Sequence, residues 1–203
     1  MTAEVDAVVF DLGGVLIDWN PRHLYRQLFD DEAAMEDFLA TICTLEWHVA
    51  HDRGESTAES CAELAALHPD HAPLIHAWAD RSEDMIGGAI EETVSILAEL
   101  RAAGVPCYVL SNMESETFPL RLERFEFLHW FDGHVISGLE GLVKPDPRIF
   151  RRLLRRFDLQ PGRTLFIDDS AGNVEAAAAV GIKAVLFESP AQLRADLETL
   201  ELL

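Results

Sequence analysis

The sequence predicts an α/β fold: a doubly wound parallel sheet with an inserted all-helical cap. The first observation is a series of short apolar, β-branched runs separated by helical patterns, as expected for βαβ units. These runs are residues 6–12, 105–112, 133–138, 163–170 and 182–189, of which 133–138 is the weakest. The second observation is a long helical stretch without a strand run, residues 19–86. We therefore expect a sheet domain made of residues 1–18 and 87–203 and a helical cap made of residues 19–86.

Glycine and proline mark the ends of the helices in the sheet domain. The helical patterns cover residues 91–104, 146–159 and 173–181. Gly104 and Gly181 end two of them, and Pro147 lies in the first turn of another. Each pattern lies between two strand runs, which is the order that a parallel sheet requires.

Length and charge limit the classes of partner. The chain has 203 residues, enough for one domain with an insertion. It carries 16 Lys and Arg against 36 Asp and Glu, a formal net charge of -20. A charge of this sign repels nucleic acid and anionic membrane surfaces, so we expect a small molecule to be the partner, with no nucleic acid and no membrane.

The N-terminus and the cysteines predict a cytoplasmic location. Residues 1–11 contain acids but no Lys or Arg, unlike a secretory signal, and no apolar run approaches the ~18 residues of a membrane span. Cys43, Cys61 and Cys107 are odd in number and far apart, which favours buried, reduced thiols. The eight histidines form neither an HExxH motif nor a paired Cys/His set, so a bound metal is expected to use oxygen ligands.

Polar residues follow three of the predicted strands. In a parallel sheet the carboxyl ends of the strands meet at one edge, where ligands bind. The strand-end residues are Asp11, Ser111, Asn112, Asp168 and Asp169, and Lys144 precedes a helix nearby in the fold. Any one of them alone has an ordinary alternative as a turn cap or a surface charge.

As a set, these residues favour phosphoryl transfer. Three neighbouring carboxylates repel one another unless a cation neutralises them, which predicts Mg²⁺. Lys144 and Ser111 would then bind the phosphate, while a carboxylate attacks phosphorus. Gly13 and Gly14 allow the backbone to approach the phosphate closely, and Gly14 is therefore a predicted substrate-binding residue together with Asn112.

Four segments resemble the ordered motifs of the haloacid dehalogenase (HAD) superfamily, most of whose members are Mg²⁺-dependent phosphatases with a Rossmann-like core. The segments are DLGGV (11–15), LSN (110–112), KPDPRIF (144–150) and FIDDSAGNVEAA (166–177). The resemblance implies that Asp11 is the nucleophile and a metal ligand. It also implies metal binding by the Gly13 carbonyl, Asp168 and Asp169, phosphate binding by Ser111, and a catalytic, orienting role for Lys144.

A cap segment resembles one branch of this superfamily. HDRGEST (51–57) is similar to a segment of the branch that contains α-D-glucose-1-phosphate phosphatase, which implies a sugar phosphate substrate. Arg53 is predicted to contact the substrate, with a surface ion pair to Glu55 or Asp52 as the alternative. Trp47 and Trp78 are predicted to belong to the cap core, with packing against a sugar as the alternative for Trp47.

One position departs from the superfamily pattern. Most of its phosphatases carry a general acid two residues after the nucleophile, where this chain has Gly13. We consider Asp18, His48, His51 or a metal-bound water as the replacement. Two other functions stay open: an L-2-haloacid dehalogenase, which the Asp168 and Asp169 pair disfavours, and a catalytically degenerate binding module, which the loss at Gly13 would permit.

Overall fold

The computed structural model describes residues 5–203; residues 1–4 of the predicted sheet domain and acidic N-terminus lie outside that range. Its strands are β1 Ala7–Phe10, β2 Ile17–Trp19, β3 Ile86–Ala89, β4 Cys107–Ser111, β5 Gly133–Ile136, β6 Thr164–Asp168 and β7 Lys183–Leu186. Five of them form a parallel sheet in the order β5-β4-β1-β6-β7. All five predicted strand runs are confirmed, including the weak one at β5.

Helices cover both faces of this sheet. The α-helices of the described residues are α1 Pro21–Tyr25, α2 Glu32–Thr41, α3 Leu45–Asp52, α4 Thr57–Leu67, α5 Ala72–Asp80, α6 Glu91–Ala102, α7 Phe118–Arg124, α8 Ser137–Glu140, α9 Pro147–Arg156, α10 Ala171–Ala179 and α11 Pro190–Thr199. Short 3₁₀ helices cover Pro69–His71, Ser82–Met85, Glu126–Trp130 and Pro161–Arg163. The predicted helices 91–104, 146–159 and 173–181 correspond to α6, α9 and α10.

Side chains of the central strand, β1, point alternately to the two faces of the sheet and so contribute to two layers of the core. Val8 and Phe10 of β1 pack in one cluster, to which α6 and α11 contribute. Val9, which points to the opposite face, packs in another cluster with residues of α9 and α10. A strand that is buried on both faces requires this continuous apolar sequence, and all four residues of β1 are buried.

The cap has a hydrophobic core of its own. Residues of α1, α2, α4 and α5 form a cluster that contains Tyr25, Phe38, Cys61 and Trp78. Trp78 is 1% exposed and Trp47 packs against the same cluster, so the prediction that both belong to the cap core is confirmed.

A short antiparallel ribbon joins the cap to the sheet domain. Ile17 of β2 pairs with Ala89 of β3, and Trp19 pairs with Ile86. The sequence pattern predicts no strand between residues 19 and 86, but both ends of that stretch are strand residues. These strands have only three and four residues, too few for a recognisable alternating pattern.

The three cysteines are confirmed as buried free thiols. Cys43 and Cys61 belong to the cap core and Cys107 belongs to the core of the sheet domain. Among residues 5–203, no helix combines the length and the apolar character that a membrane span needs.

Candidate active site

Neighbouring strands bring the predicted strand-end residues together. β1 pairs in parallel with β4 on one side and with β6 on the other. Asp11, Ser111 and Asp168 therefore lie at the same edge of the sheet, and all three are buried. The order of the strands, with β1 in the centre, assembles this group.

Lys144 is buried between two carboxylates. Its Nζ lies 2.9 Å from Asp11 Oδ2 and 2.7 Å from Asp168 Oδ2, and it donates to the carbonyl oxygen of Leu110 at 2.9 Å. Burial alone would lower the pKa of Lys144, but the charges of Asp11 and Asp168, with their hydrogen bonds, hold that pKa above its ordinary value. Lys144 is therefore a fixed cation at the centre of the group.

Asn112 positions the loop that carries Lys144. The backbone N–H of Lys144 donates to Asn112 Oδ1 at 2.8 Å, and Asn112 Nδ2 donates to the Lys144 carbonyl oxygen at 3.0 Å. Asn112 is predicted to contact substrate, yet both polar atoms of its amide contact backbone here. These contacts support a positioning role for Asn112.

Ser111 directs a weakly engaged hydroxyl toward the same space. The side chain is 1% exposed, and its Oγ donates to the carbonyl oxygen of Asn112 over a long 3.5 Å. Ser111 lines the cavity next to Asp11. Its hydroxyl is thus placed to exchange this weak contact for one to a bound anion.

Asp168 and Asp169 have different surroundings although they are adjacent. Asp168 is fully buried and accepts hydrogen bonds from Lys144 Nζ, from Asn173 Nδ2 at 2.9 Å and from the Ser170 N–H at 2.8 Å. Asp169 lines the cavity and is more exposed. Asp168 therefore fixes Lys144 and the start of α10, whereas Asp169 faces the cavity together with Asp11.

The charges at this edge fit a hard divalent cation. One oxygen from each of Asp11, Asp168 and Asp169 lies within 4.8 Å of the others. Burial raises the pKa of Asp11 to about 7 against the opposing charge of Lys144, and burial also raises the pKa of Asp169. One ammonium therefore does not offset three carboxylates, and carboxylate oxygens are the ligands that Mg²⁺ prefers.

Gly14 permits the approach of Asp169 to this group. Its φ is +73°, and a Cβ built on it would lie 2.2 Å from Asp169 Oδ2. At Gly13 a Cβ would meet only Trp19, at an ordinary 3.8 Å. The positive φ and the nearness of Asp169 therefore favour glycine at position 14, whereas a Cβ has room at position 13. The Gly13 carbonyl remains a predicted metal ligand.

Gly14→Ala is expected to displace Asp169 and to weaken Mg²⁺ binding by at least about tenfold. The free energy of unfolding should fall by more than the ~1 kcal/mol that alanine costs in the left-handed backbone conformation. Gly104→Ala is the matched control, because Gly104 has a φ of +79° and nothing within 4 Å of its Cβ position. Calorimetric Mg²⁺ titration and urea unfolding measure both effects. Equal behaviour of the two variants would contradict the close contact at Asp169.

Comparison with known families identifies the chain. A family model described as "Hydrolase: haloacid dehalogenase-like hydrolase" matches residues 5–181. The chain belongs to the haloacid dehalogenase-like hydrolases. The family resemblance of the four sequence segments is thus confirmed, and the protein is an enzyme of the hydrolase class.

Relatives of this haloacid dehalogenase-like hydrolase include a phosphatase. Sesquiterpene phosphatase astK from Aspergillus oryzae is 32% identical over 184 residues, which cover 90% of this chain and 89% of that protein. Membership of the branch that contains α-D-glucose-1-phosphate phosphatase stays a prediction.

Two solved structures show the same fold as this hydrolase. One is a HAD family enzyme from Bacteroides thetaiotaomicron in complex with magnesium and inorganic phosphate (TM-score 0.67, 19% identity, 91% of this chain and 94% of that chain). The other is L-2-haloacid dehalogenase from Xanthobacter autotrophicus with chloropropionic acid covalently bound (TM-score 0.66, 17% identity, 96% and 83%). At these identities the likeness concerns the fold alone, which is shared by enzymes with different reactions.

Residues of the cap and of the strand ends together line an open cavity of about 560 Å³ in the hydrolase. Much of its lining is apolar and comes from the cap and the ribbon. These apolar residues include Ile17, Trp19, Leu39, Val49, Trp78 and Met85. Two of the charged residues in the lining form an ion pair, with Arg22 Nε 2.6 Å from Glu36 Oε1. The cavity therefore offers a polar end at the strand ends and a largely apolar remainder.

One largely buried polar cluster of the hydrolase is not predicted from the sequence. His48 Nδ1 and His51 Nδ1 are 3.2 Å apart, and Glu114 Oε1 lies 4.0 and 3.9 Å from these two atoms. Together they form a group of two imidazoles and one carboxylate, and the expectation that a bound metal uses oxygen ligands stays a prediction. Positions 48 and 51 are one helical turn apart, a spacing that signals a shared face, but Glu114 joins them only through the docking of the cap.

The cap of the hydrolase brings Asp52 to the cavity, and Arg53 and Asp18 do not line it. α3 ends at Asp52, whose side chain is buried, while Arg53 follows it as an exposed residue. Asp18 accepts a hydrogen bond or ion pair from His23 Nε2 at 2.9 Å. Arg53 is the residue that follows α3, and its predicted contact with substrate stays a prediction.

Proposed function

We propose that this haloacid dehalogenase-like hydrolase is a Mg²⁺-dependent phosphatase that acts on small phosphorylated metabolites through an aspartyl phosphate on Asp11. The observation that carries the proposal is the buried triad in which Lys144 Nζ lies 2.9 Å from Asp11 and 2.7 Å from Asp168. Such a fixed cation beside a carboxylate supports both phosphate binding and orientation of the attacking oxygen.

The chain's own residues supply most of the chemistry. Asp11 would attack phosphorus with a carboxylate oxygen; its Oδ1 accepts the Leu12 N–H at 2.7 Å, and its Oδ2 lies 2.9 Å from Lys144 Nζ. Ser111 and Lys144 would hold the phosphate oxygens. Asp11, Asp169, Asp168 and the Gly13 carbonyl would hold Mg²⁺, which when bound neutralises the charge between phosphate and carboxylates.

Two substrate classes follow from different observations. The sequence resemblance favours sugar phosphates. The lining of the cavity favours an apolar leaving group, because a sugar needs hydrogen-bond donors that the side chains of Ile17, Leu39 and Met85 lack. The name of the Aspergillus relative, a sesquiterpene phosphatase, also supports the apolar class. We rank phosphate monoesters with an apolar organic part first and keep sugar phosphates as the second class.

A cytoplasmic location also remains a proposal. Its support is the burial of three cysteines as free thiols, which agrees with a reducing compartment.

The test is phosphate release from an isoprenoid alkyl monophosphate, several sugar phosphates and an aryl phosphate, with Mg²⁺ and with chelator. We expect Mg²⁺-dependent release, fastest among alkyl esters for the isoprenoid. Halide release from 2-chloropropionate in chelator, without phosphate release from any ester, would favour the dehalogenase instead. No turnover of any compound would favour a binding module.

A further inference from the structure

We propose that Asp52, at the end of α3 in the cap, is the general acid and base of the reaction and replaces the carboxylate that Gly13 lacks. This inference rests on the proposed phosphatase function. It concerns a residue that faces the site only because the cap is docked on the sheet domain.

The direction of the reaction places the acid on the cap side. In an in-line displacement the leaving oxygen departs opposite the attacking oxygen. Asp11 attacks from the carboxyl end of β1, so the leaving group must lie toward the cap. Asp52 lines the same cavity as Asp11, and its residue exposure is 8%.

The backbone of Asp52 is held against the sheet domain. Ser137 Oγ donates to the Asp52 carbonyl oxygen at 2.5 Å and accepts the Met113 N–H at 2.8 Å. Two residues later, a Cβ at Gly54 would lie 3.1 Å from the Gly138 carbonyl oxygen, so the two backbones are in close contact. A catalytic group needs such a fixed position relative to the nucleophile, and these contacts provide it.

The other cavity carboxylates outside the metal set are less suited. Glu36 accepts two hydrogen bonds from Arg22, which hold its pKa below the ordinary value and so keep the carboxylate ionised. Burial raises the pKa of Glu114 as well, but its Oε1 lies beside the imidazoles of His48 and His51, 4.0 and 3.9 Å from their Nδ1 atoms. Asp52, in contrast, lines the cavity with Asp11, and the charges of Lys144 and Asp11 both act on its pKa.

The surroundings of Asp52 suit a proton donor at neutral pH. Burial raises its pKa to about 7, the charges of Glu114 and Asp11 act in the same direction, and Lys144 opposes them. His48 Nε2 lies 3.6 Å from Asp52 Oδ1. A general acid works best with a pKa near the working pH, so Asp52 meets this requirement.

The acids considered from the sequence do not meet it. Burial lowers the pKa of His48 to about 3 and that of His51 to about 4, so neither imidazole carries a second proton at neutral pH. Asp18 is paired with His23 and does not line the cavity.

The two half-reactions balance with Asp52 alone. An Asp11 oxygen bonds to phosphorus as the bond between phosphorus and the ester oxygen breaks. The ester oxygen keeps the electron pair of that bond and takes the proton of the Asp52 carboxyl, which forms the alcohol. The Asp52 carboxylate then removes a proton from water as the water oxygen bonds to phosphorus. The bond from phosphorus to Asp11 breaks, inorganic phosphate leaves, and Asp52 is again protonated.

The decisive experiment is the leaving-group dependence of Asp52→Asn in the full chain. Alkyl phosphates need a proton on the departing oxygen and should lose about 10² to 10⁴-fold in kcat. An activated aryl phosphate needs little help and should lose less than about tenfold. Asp52→Glu should recover part of the alkyl activity, and Glu46→Gln, which changes an exposed carboxylate on the same helix, should match wild type.

The pH dependence of wild type provides a measurement that is independent of any variant's folding. The kcat for an alkyl ester should fall as pH rises through about 7, the pKa of Asp52, because the donor loses its proton. For Asp52→Asn this decline should disappear. Equal losses for alkyl and aryl esters, or an unchanged pH profile, would overturn the assignment. Absence of Mg²⁺-dependent phosphate release in wild type would instead refute the phosphatase function itself.

Discussion

Asp11→Asn is expected to lower kcat for every phosphate ester by more than about 10³-fold, because an amide cannot form the covalent intermediate. The substitution keeps size and shape, and Lys144 keeps its contact with Asp168 at 2.7 Å. The free energy of unfolding should therefore change little. Steady-state phosphate release and urea unfolding measure the two effects.

Trapping the intermediate provides a direct check on Asp11. Acid quenching during turnover of a phosphate-labelled ester should leave label on wild type and none on Asp11→Asn. Asp70→Asn, at an exposed position, is the control and should retain both label and turnover. Full turnover by Asp11→Asn would refute its role as the nucleophile.

Lys144→Met is expected to abolish activity and to lower the free energy of unfolding by about 3 kcal/mol, since removal of one partner leaves buried charges without compensation. Lys144 is 3% exposed, and it is the ammonium between Asp11 and Asp168. Urea unfolding measures the stability. Removal of Lys144 also removes the cation that orients Asp11, so activity should stay lost even where the variant is folded.

An exposed cation on a nearby helix serves as the control for this stability effect. Arg155→Met changes an exposed side chain of α9 and should alter stability by less than about 0.5 kcal/mol. A loss at Lys144 no larger than that at Arg155 would contradict the buried triad.

The sheet and its strand-end residues could be predicted because they depend on local patterns. A parallel strand that is buried on both faces has a continuous apolar sequence, and its carboxyl end marks an edge of the sheet. Asp11, Ser111 and Asp168 were therefore placed together from their positions in the chain, and the register of β1 with β4 and β6 bears this out.

The cap side of the site could not be predicted in the same way. Asp52 and Arg53 are adjacent and both charged, and no periodic pattern indicates which of them faces the cavity. The answer depends on where α3 ends and on the contact of Ser137 with the Asp52 carbonyl oxygen, 85 residues away in sequence. Contacts between distant segments of this kind leave no local signal. The same reason explains why Glu114 was not grouped with His48 and His51.

The ribbon of β2 and β3 has a consequence for how the enzyme family can diversify. Paired residues of antiparallel strands lie about 5 Å apart, so the inserted stretch leaves and re-enters the sheet domain at almost one point. A cap of different length or shape can be inserted between such ends without distorting the sheet domain, as with other domain insertions. If Asp52 donates the proton, however, replacing the cap would remove the proton donor at the same time as it changes the choice of substrate. A foreign cap without an acid would then need a carboxylate elsewhere, for example at position 13, where a Cβ meets only an ordinary contact.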